Sequence, residues 1–142
     1  PYGTALLLAG VDIGADGKAH YRLFETDPSG TLLEYMATGI GIGRQAVMKL
    51  FEEEYKEGLS AEEAVLLGLK ALYTATEGKF DMNTVEIGVA GEYSKKRAVK
   101  KVVESPTGST TQILTFRKLT ADEVKSAVTK FSKTVKTEEK AE

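Results

Sequence analysis

The sequence predicts an α+β fold, and three observations carry that reading. Extended apolar runs separated by tight-turn signals fill the first forty or so residues, two amphipathic helical stretches follow one another in the middle, and a strand leading into a helix closes the chain. With 142 residues, 42% of them hydrophobic, the chain is long enough to bury one core.

The first strand is Ala5-Leu6-Leu7-Leu8-Ala9-Gly10-Val11, a continuous apolar run of the kind that is covered on both faces. It follows Pro1-Tyr2-Gly3-Thr4 with no initiator Met and no preceding turn, so the chain is expected to be a processed, truncated or split form. Asp16-Gly17, inside Gly14–Gly17, is a hairpin signal, because both residue types tolerate the positive φ that tight hairpins need. A second strand is expected over Ala19–Thr26, with Tyr21 and Leu23 on one face. Asp27-Pro28-Ser29-Gly30 is a turn with a mechanism. The proline presets φ, the aspartate side chain bonds forward to the backbone, and the glycine closes the loop. A third strand is expected from Thr31 to about Ile40, completing an antiparallel meander.

At Gly43 the period changes. Ala46, Val47, Leu50, Phe51 and Tyr55 fall on one face of a helix over 44–56, with Lys49, Glu52, Glu53 and Lys56 on the other and Gly58 as its stop. Ser60 and Glu63 form a capping box for a second helix. Ala64, Val65, Leu67, Leu69, Leu72 and Ala75 make that helix apolar around much of its girth. It is therefore expected to lie between the first helix and a sheet, ending at Gly78. Val85–Ala90 reads as a short strand and Gln112–Lys118 as another. Between them lie a basic cluster (Lys95, Lys96, Arg97, Lys100, Lys101) and a loop-like stretch over 105–109. Thr120 and Glu123 form a second capping box, opening a helix through Val124, Ala127, Val128 and Phe131. Residues 133–142 are dominated by lysine and glutamate and are expected to be a disordered tail.

Composition removes several function classes. A net charge of −2 and a pI near 5.6 give no general attraction to nucleic acid or anionic lipid. Without cysteine there is no thiolate catalysis and no sulfur-ligated metal, and the single histidine, His20, cannot build a His-rich zinc site. No apolar run reaches the length of a membrane span and no signal-peptide pattern is present, so a cytoplasmic protein is expected.

The candidates for chemistry are few. Gly39-Ile40-Gly41-Ile42-Gly43 lies between strand and helix, where backbone amides at a helix N-terminus can hold phosphate. Its G-x-G-x-G spacing departs from the dinucleotide fingerprint, and no Lys-Ser/Thr pair follows as in a P-loop. Close packing of strand and helix is the expected use. Pro1 could act as an N-terminal amine only at a true terminus within a pocket. Asp12, Asp16 and Asp27 sit near strand ends with no metal-loop spacing, and turn roles explain each. The basic cluster over 95–101 is expected to be a solvated loop, although an acidic partner would fit it. No Ser/His/Asp arrangement can be built on His20. A domain without a reaction centre points to assembly or binding, and neither a catalytic residue nor a cofactor or metal ligand is expected.

The ordered set of segments resembles the second half of proteasome alpha subunits of the archaeal type. Pro1-Tyr2-Gly3-x-Ala5-Leu6-Leu7 with Ala9-Gly10-Val11-Asp12 resembles that half's opening strand. Leu23-Phe24-x-x-Asp27-Pro28-Ser29-Gly30 and Glu34-Tyr35-x-Ala37-x-Gly39-Ile40-Gly41 resemble the strands and turn that follow. Glu53-x-Tyr55 and Leu59-Ser60-x-Glu62-Glu63-Ala64-Val65-x-Leu67-Gly68-Leu69-Lys70-Ala71-Leu72 resemble the adjacent helix pair. Phe116-Arg117-Lys118-Leu119-Thr120-x-x-Glu123-Val124 resembles the last strand and helix. The resemblance implies the N-terminal nucleophile (Ntn) hydrolase sandwich, two antiparallel sheets with helices outside, of which only the C-terminal portion is present. Residues 1–132 would form that portion, with an insertion over 95–111. The resemblance further implies a heptameric ring of alpha subunits stacked on beta subunits in the 20S core particle, with substrate entry limited there and regulatory ATPases or other activators docked. Catalysis would belong to the beta subunits, whose N-terminal threonine has no counterpart at Pro1. Their Arg-Asp pair with a following Ser-Gly is absent too; the chain reads Thr74-Ala75-Thr76-Glu77-Gly78 after its second helix. The gate segment and activator pocket belong to the family's N-terminal half, so no gating residue carries over. The rivals are a beta-type threonine peptidase and a small nucleotide-binding module using Gly39–Gly43.

Overall fold

A computed structural model describes residues 3–16, 19–79, 81–90, 100–104, 108, 110–114 and 116–138. Strands β1 (Leu6–Ile13), β2 (Ala19–Thr26) and β3 (Leu32–Tyr35) form an antiparallel sheet in the order β1-β2-β3. The register pairs Leu8 with Phe24 and Phe24 with Glu34. Leu7, Leu23, Glu25, Leu33 and Tyr35 therefore share one face, and Leu6, Leu8, Arg22, Phe24, Leu32 and Glu34 the other. The meander is as the sequence predicts, but β3 stops at Tyr35 rather than near Ile40. From Met36 the chain turns off the sheet toward the helices.

The Asp27 turn behaves as its chemistry requires. Asp27 Oδ1 accepts from the Ser29 amide at 2.9 Å, the Ser29 hydroxyl at 2.6 Å and the Thr31 amide at 3.0 Å. Gly30 closes the loop at a φ of 91°. These donors, Ser29 first and then Thr31, hold the Asp27 carboxyl below its ordinary range.

Helices α1 (Arg44–Glu54) and α2 (Ala61–Ala75) follow, then a 3₁₀ turn over Met82–Thr84 and strand β4 (Gly88–Ala90). The Ser60–Glu63 capping box is complete, with the Ser60 amide donating to the Glu63 carboxylate at 2.8 Å and the Glu63 amide to the Ser60 hydroxyl. Beyond α2 both Gly78, the glycine read as the stop, and Glu77 before it are left-handed, at φ values of 76° and 51°. The Gly78 amide then donates to the Tyr73 carbonyl at 2.8 Å and the Glu77 amide to the Thr74 carbonyl, the pattern of a Schellman cap.

Strand β5 (Lys100–Glu104) pairs with β6 (Thr110–Leu114) as a separate antiparallel ribbon, and β7 (Phe116–Lys118) pairs with β4. The stretch expected as an insertion thus holds a hairpin. The strand read over Gln112–Lys118 divides between β6 and β7, and only Gly88–Ala90 of the strand read from Val85 is in a ladder. Helix α3 (Ala121–Glu138) opens on the predicted Thr120–Glu123 box, where the Thr120 amide donates to Glu123 at 3.0 Å. It continues six residues into the segment expected as a tail, because Val135 packs against the core and keeps the helix docked.

The core lies among the helices. Leu69, Leu119, Val124, Ala127, Val128 and Phe131 form one buried cluster, against which Val85, Ile87 and Val89 pack. Tyr73 meets Phe131 edge-on, ring centres 5.7 Å apart. Val47, Leu50 and Ala71 form a second cluster between α1 and α2. Helix α2 is therefore flanked by α1 and α3, whereas the sequence placed it between a helix and a sheet; the segment from Val85 to Val89, which leads into and through β4, also packs against its cluster.

Candidate assembly surface

Among the described residues, neither buried cluster, nor any residue packed against it, comes from β1, β2 or β3. The sheet carries leucines on both faces nonetheless. Leu6 and Leu8 on one face are 49% and 48% exposed, and Leu7 and Leu33 on the other 42% and 52%. An antiparallel sheet meant for water on one side alternates apolar with polar side chains. This one does so only at its far end, where Arg22 donates to Glu34 at 2.7 and 2.8 Å and to Asp12 at 2.9 Å, its guanidinium lying over the Phe24 ring. The Arg22 guanidinium holds the Glu34 carboxyl below its ordinary range. The leucines on each face are left about half exposed by the described chain. Leu32, Met36 and Ile42 extend the apolar exposure along β3 and the loop after it.

A second uncovered region lies between α2 and β4. A cavity of about 450 Å³ opens there, lined by Ala61, Ala64, Val65, Gly68 and Leu72 on the helix side and by Val85–Ala90 on the other. Strand β4 pairs with β7 only, so its other edge is unpaired among the described residues.

The residues singled out for chemistry come to separate places. Asp12 is held by Arg22, Asp16 lies 3.5 Å from His20, and Asp27 caps its own turn. Among the described residues no group of His, Asp or Glu side chains is arranged to hold a metal. Pro1 and residues 95–97 of the basic cluster lie outside the described residues, and Lys100 and Lys101 lie on β5. The glycine loop serves close packing. A Cβ on Gly43 would lie 2.6 Å from Ala75 Cβ and 2.9 Å from the Ala75 carbonyl, so α1 begins in direct contact with the end of α2. A Cβ on Gly39 would meet Val47 at 3.0 Å. No helix among the described residues is long and apolar enough to cross a membrane.

Sequence reasoning missed one cluster. The Glu25 carboxylate, its side chain only 12% exposed, accepts two bonds from Arg44 at 3.1 Å each and one from the Thr38 hydroxyl at 2.6 Å. Arg44 also donates to the Tyr35 hydroxyl at 3.3 Å. Arg44 first, then Thr38, holds the Glu25 carboxyl below its ordinary range. The signal was present: Glu25 falls on the strand face that otherwise carries Leu7, Leu23 and Leu33, and a carboxylate there needs a cation.

Comparisons with known proteins add the following. The family model described as "Proteasome subunit" matches residues 1–90. A proteasome subunit alpha of Methanoregula boonei is 56% identical over 131 residues, covering 92% of this chain and 45% of its own length. That of Methanosphaerula palustris is 73% identical over 89 residues, covering 63% and 35%. That of Methanosarcina thermophila is 59% identical over 96 residues, covering 68% and 37%. The chain thus spans less than half the length of these relatives.

Proposed function

The chain belongs to the proteasome subunit family, as an alpha-type member of the archaeal kind with an α+β Ntn-type fold, and from that premise we propose that it acts as a non-catalytic scaffold of the outer alpha ring of the 20S core particle. The observation that carries the proposal is the β1-β2-β3 sheet with leucines about half exposed on both faces. Burying a leucine side chain contributes about 1.5–3 kcal/mol, so such a sheet is stable only when other polypeptide covers it. The cover is the N-terminal half of such a subunit on the sheet faces, with neighbouring alpha copies and beta subunits completing a heptameric ring. Control of substrate entry and docking of a regulatory ATPase are properties of that assembled particle in a cytoplasmic degradation system. No residue described here is assigned to either role.

Co-expression of the full-length alpha subunit with a beta subunit of the same source, followed by native mass spectrometry and electron microscopy, tests the proposal. Sevenfold rings whose peptidase activity depends on the beta subunit are expected. Peptide hydrolysis by the alpha subunit alone, or a monomer that forms no ring with either subunit, would overturn it.

A further inference from the structure

Because the three-stranded sheet contributes to neither buried cluster, how it is held to the helices is a distinct question. Side-chain bonds from the connecting segment and from α1 to the sheet converge on Glu25 and Tyr35. The connection, residues 36–43, has three glycines, and Gly41 sits at a φ of 119° that other residues rarely adopt. Its far end is fixed, since Gly43 lies against Ala75 with no room for a Cβ. A cavity of about 380 Å³ separates sheet from connection, bordered by Ala5, Leu33, Tyr35, Ile40 and Arg44. Within this chain the sheet side of the junction borders a cavity and the helix side is close-packed.

We propose that residues 36–42 are a hinge between the β1-β2-β3 sheet and the α1–α2 pair, and that the Glu25–Arg44 pair, braced by Thr38 and Tyr35, is the latch that sets its closed position. Latched, the sheet is held at a fixed angle to the helices by a bidentate ion pair whose carboxylate is largely buried. Unlatched, the packing around Leu69 and Phe131 is untouched, because no latch residue belongs to it.

Amide hydrogen exchange by mass spectrometry, on the full-length subunit alone and in its ring, separates a latch from ordinary stabilisation. Glu25→Gln is expected to speed exchange across 36–43 by about tenfold while leaving α2 and α3 unchanged, since only the local opening equilibrium shifts. Thr38→Val, a milder change, is expected to act at the same peptides by a smaller factor. The charge-swapped pair Glu25→Arg with Arg44→Glu is expected to restore slow exchange. Unchanged exchange over 36–43 in Glu25→Gln would overturn the proposal. So would a uniform rise through sheet and helices, or a milder variant that moves α3 as much as the connection.

Discussion

At the scale of single residues, backbone geometry makes the sharpest statements. Glu77 occupies the left-handed region at the end of α2, where a Cβ is unfavourable, and its one recorded ion pair, with Lys79, is exposed. Glu77→Gly should therefore raise stability by about 0.5–1 kcal/mol, read from the urea midpoint at unchanged slope. Gly43 is the opposite case. Gly43→Ala places a methyl group against Ala75 backbone and side chain, and should cost about 1–3 kcal/mol in the same titration. The sequence named Gly78 as the stop but could not show that the left-handed backbone begins one residue earlier, on Glu77, and the close approach on Gly43 is a tertiary contact. Titration belongs to this scale too. Glu25, Asp27, Glu34 and Glu63 all have carboxyls held below their ordinary values by donors in the folded state. Each contributes stability that is fully present above the unfolded value, 4.5 for Glu25, and is lost as pH falls through the lower folded value. Thermal melts should show stability falling as pH drops below that point, with a shallower fall in Glu25→Gln.

Among elements, the helices were the most legible and the strands the least. Both capping boxes were readable because a hydroxyl and a carboxylate three residues apart satisfy local backbone donors without help from elsewhere. Ser60→Ala should cost about 1 kcal/mol, measured as a lowered denaturation midpoint, because the Glu63 amide in the first turn of α2 loses its acceptor. Thr120→Ala should resemble it only in part. Glu123 is almost fully buried and also accepts from Arg117 at 2.9 and 3.2 Å, which ties α3 to β7 whether or not the threonine hydroxyl is present. That third partner is six residues away across a strand–helix junction, and sequence spacing does not reveal it. The strand boundaries failed for a related reason. Nothing in Met36–Ile40 forbids extended structure, but the ladder ends when Thr38 leaves the sheet to meet Glu25 and Met48.

For the whole molecule, the segments legible in sequence were those whose apolar periodicity matches a single buried face: α1, α2 and α3. The opening strand read as buried on both sides, and the chain described here covers neither. That disagreement is what the proposed function explains, by placing the cover in polypeptide the sequence does not contain. In the full-length subunit, Leu8→Lys and Leu33→Lys, on opposite faces, should each reduce ring yield severely in size-exclusion chromatography. Substitution of the exposed Lys49 on α1 should not.

A sheet with bare leucines on both sides is also a signal. Cells recognise unfolded and orphaned chains by exposed apolar segments of this kind, and hold or degrade them. On the function proposed above, a copy whose β1-β2-β3 sheet stays uncovered would display that signal, and one built into a complex would hide it. Stoichiometry between partners would then need no separate counting device, since surplus copies would mark themselves for removal.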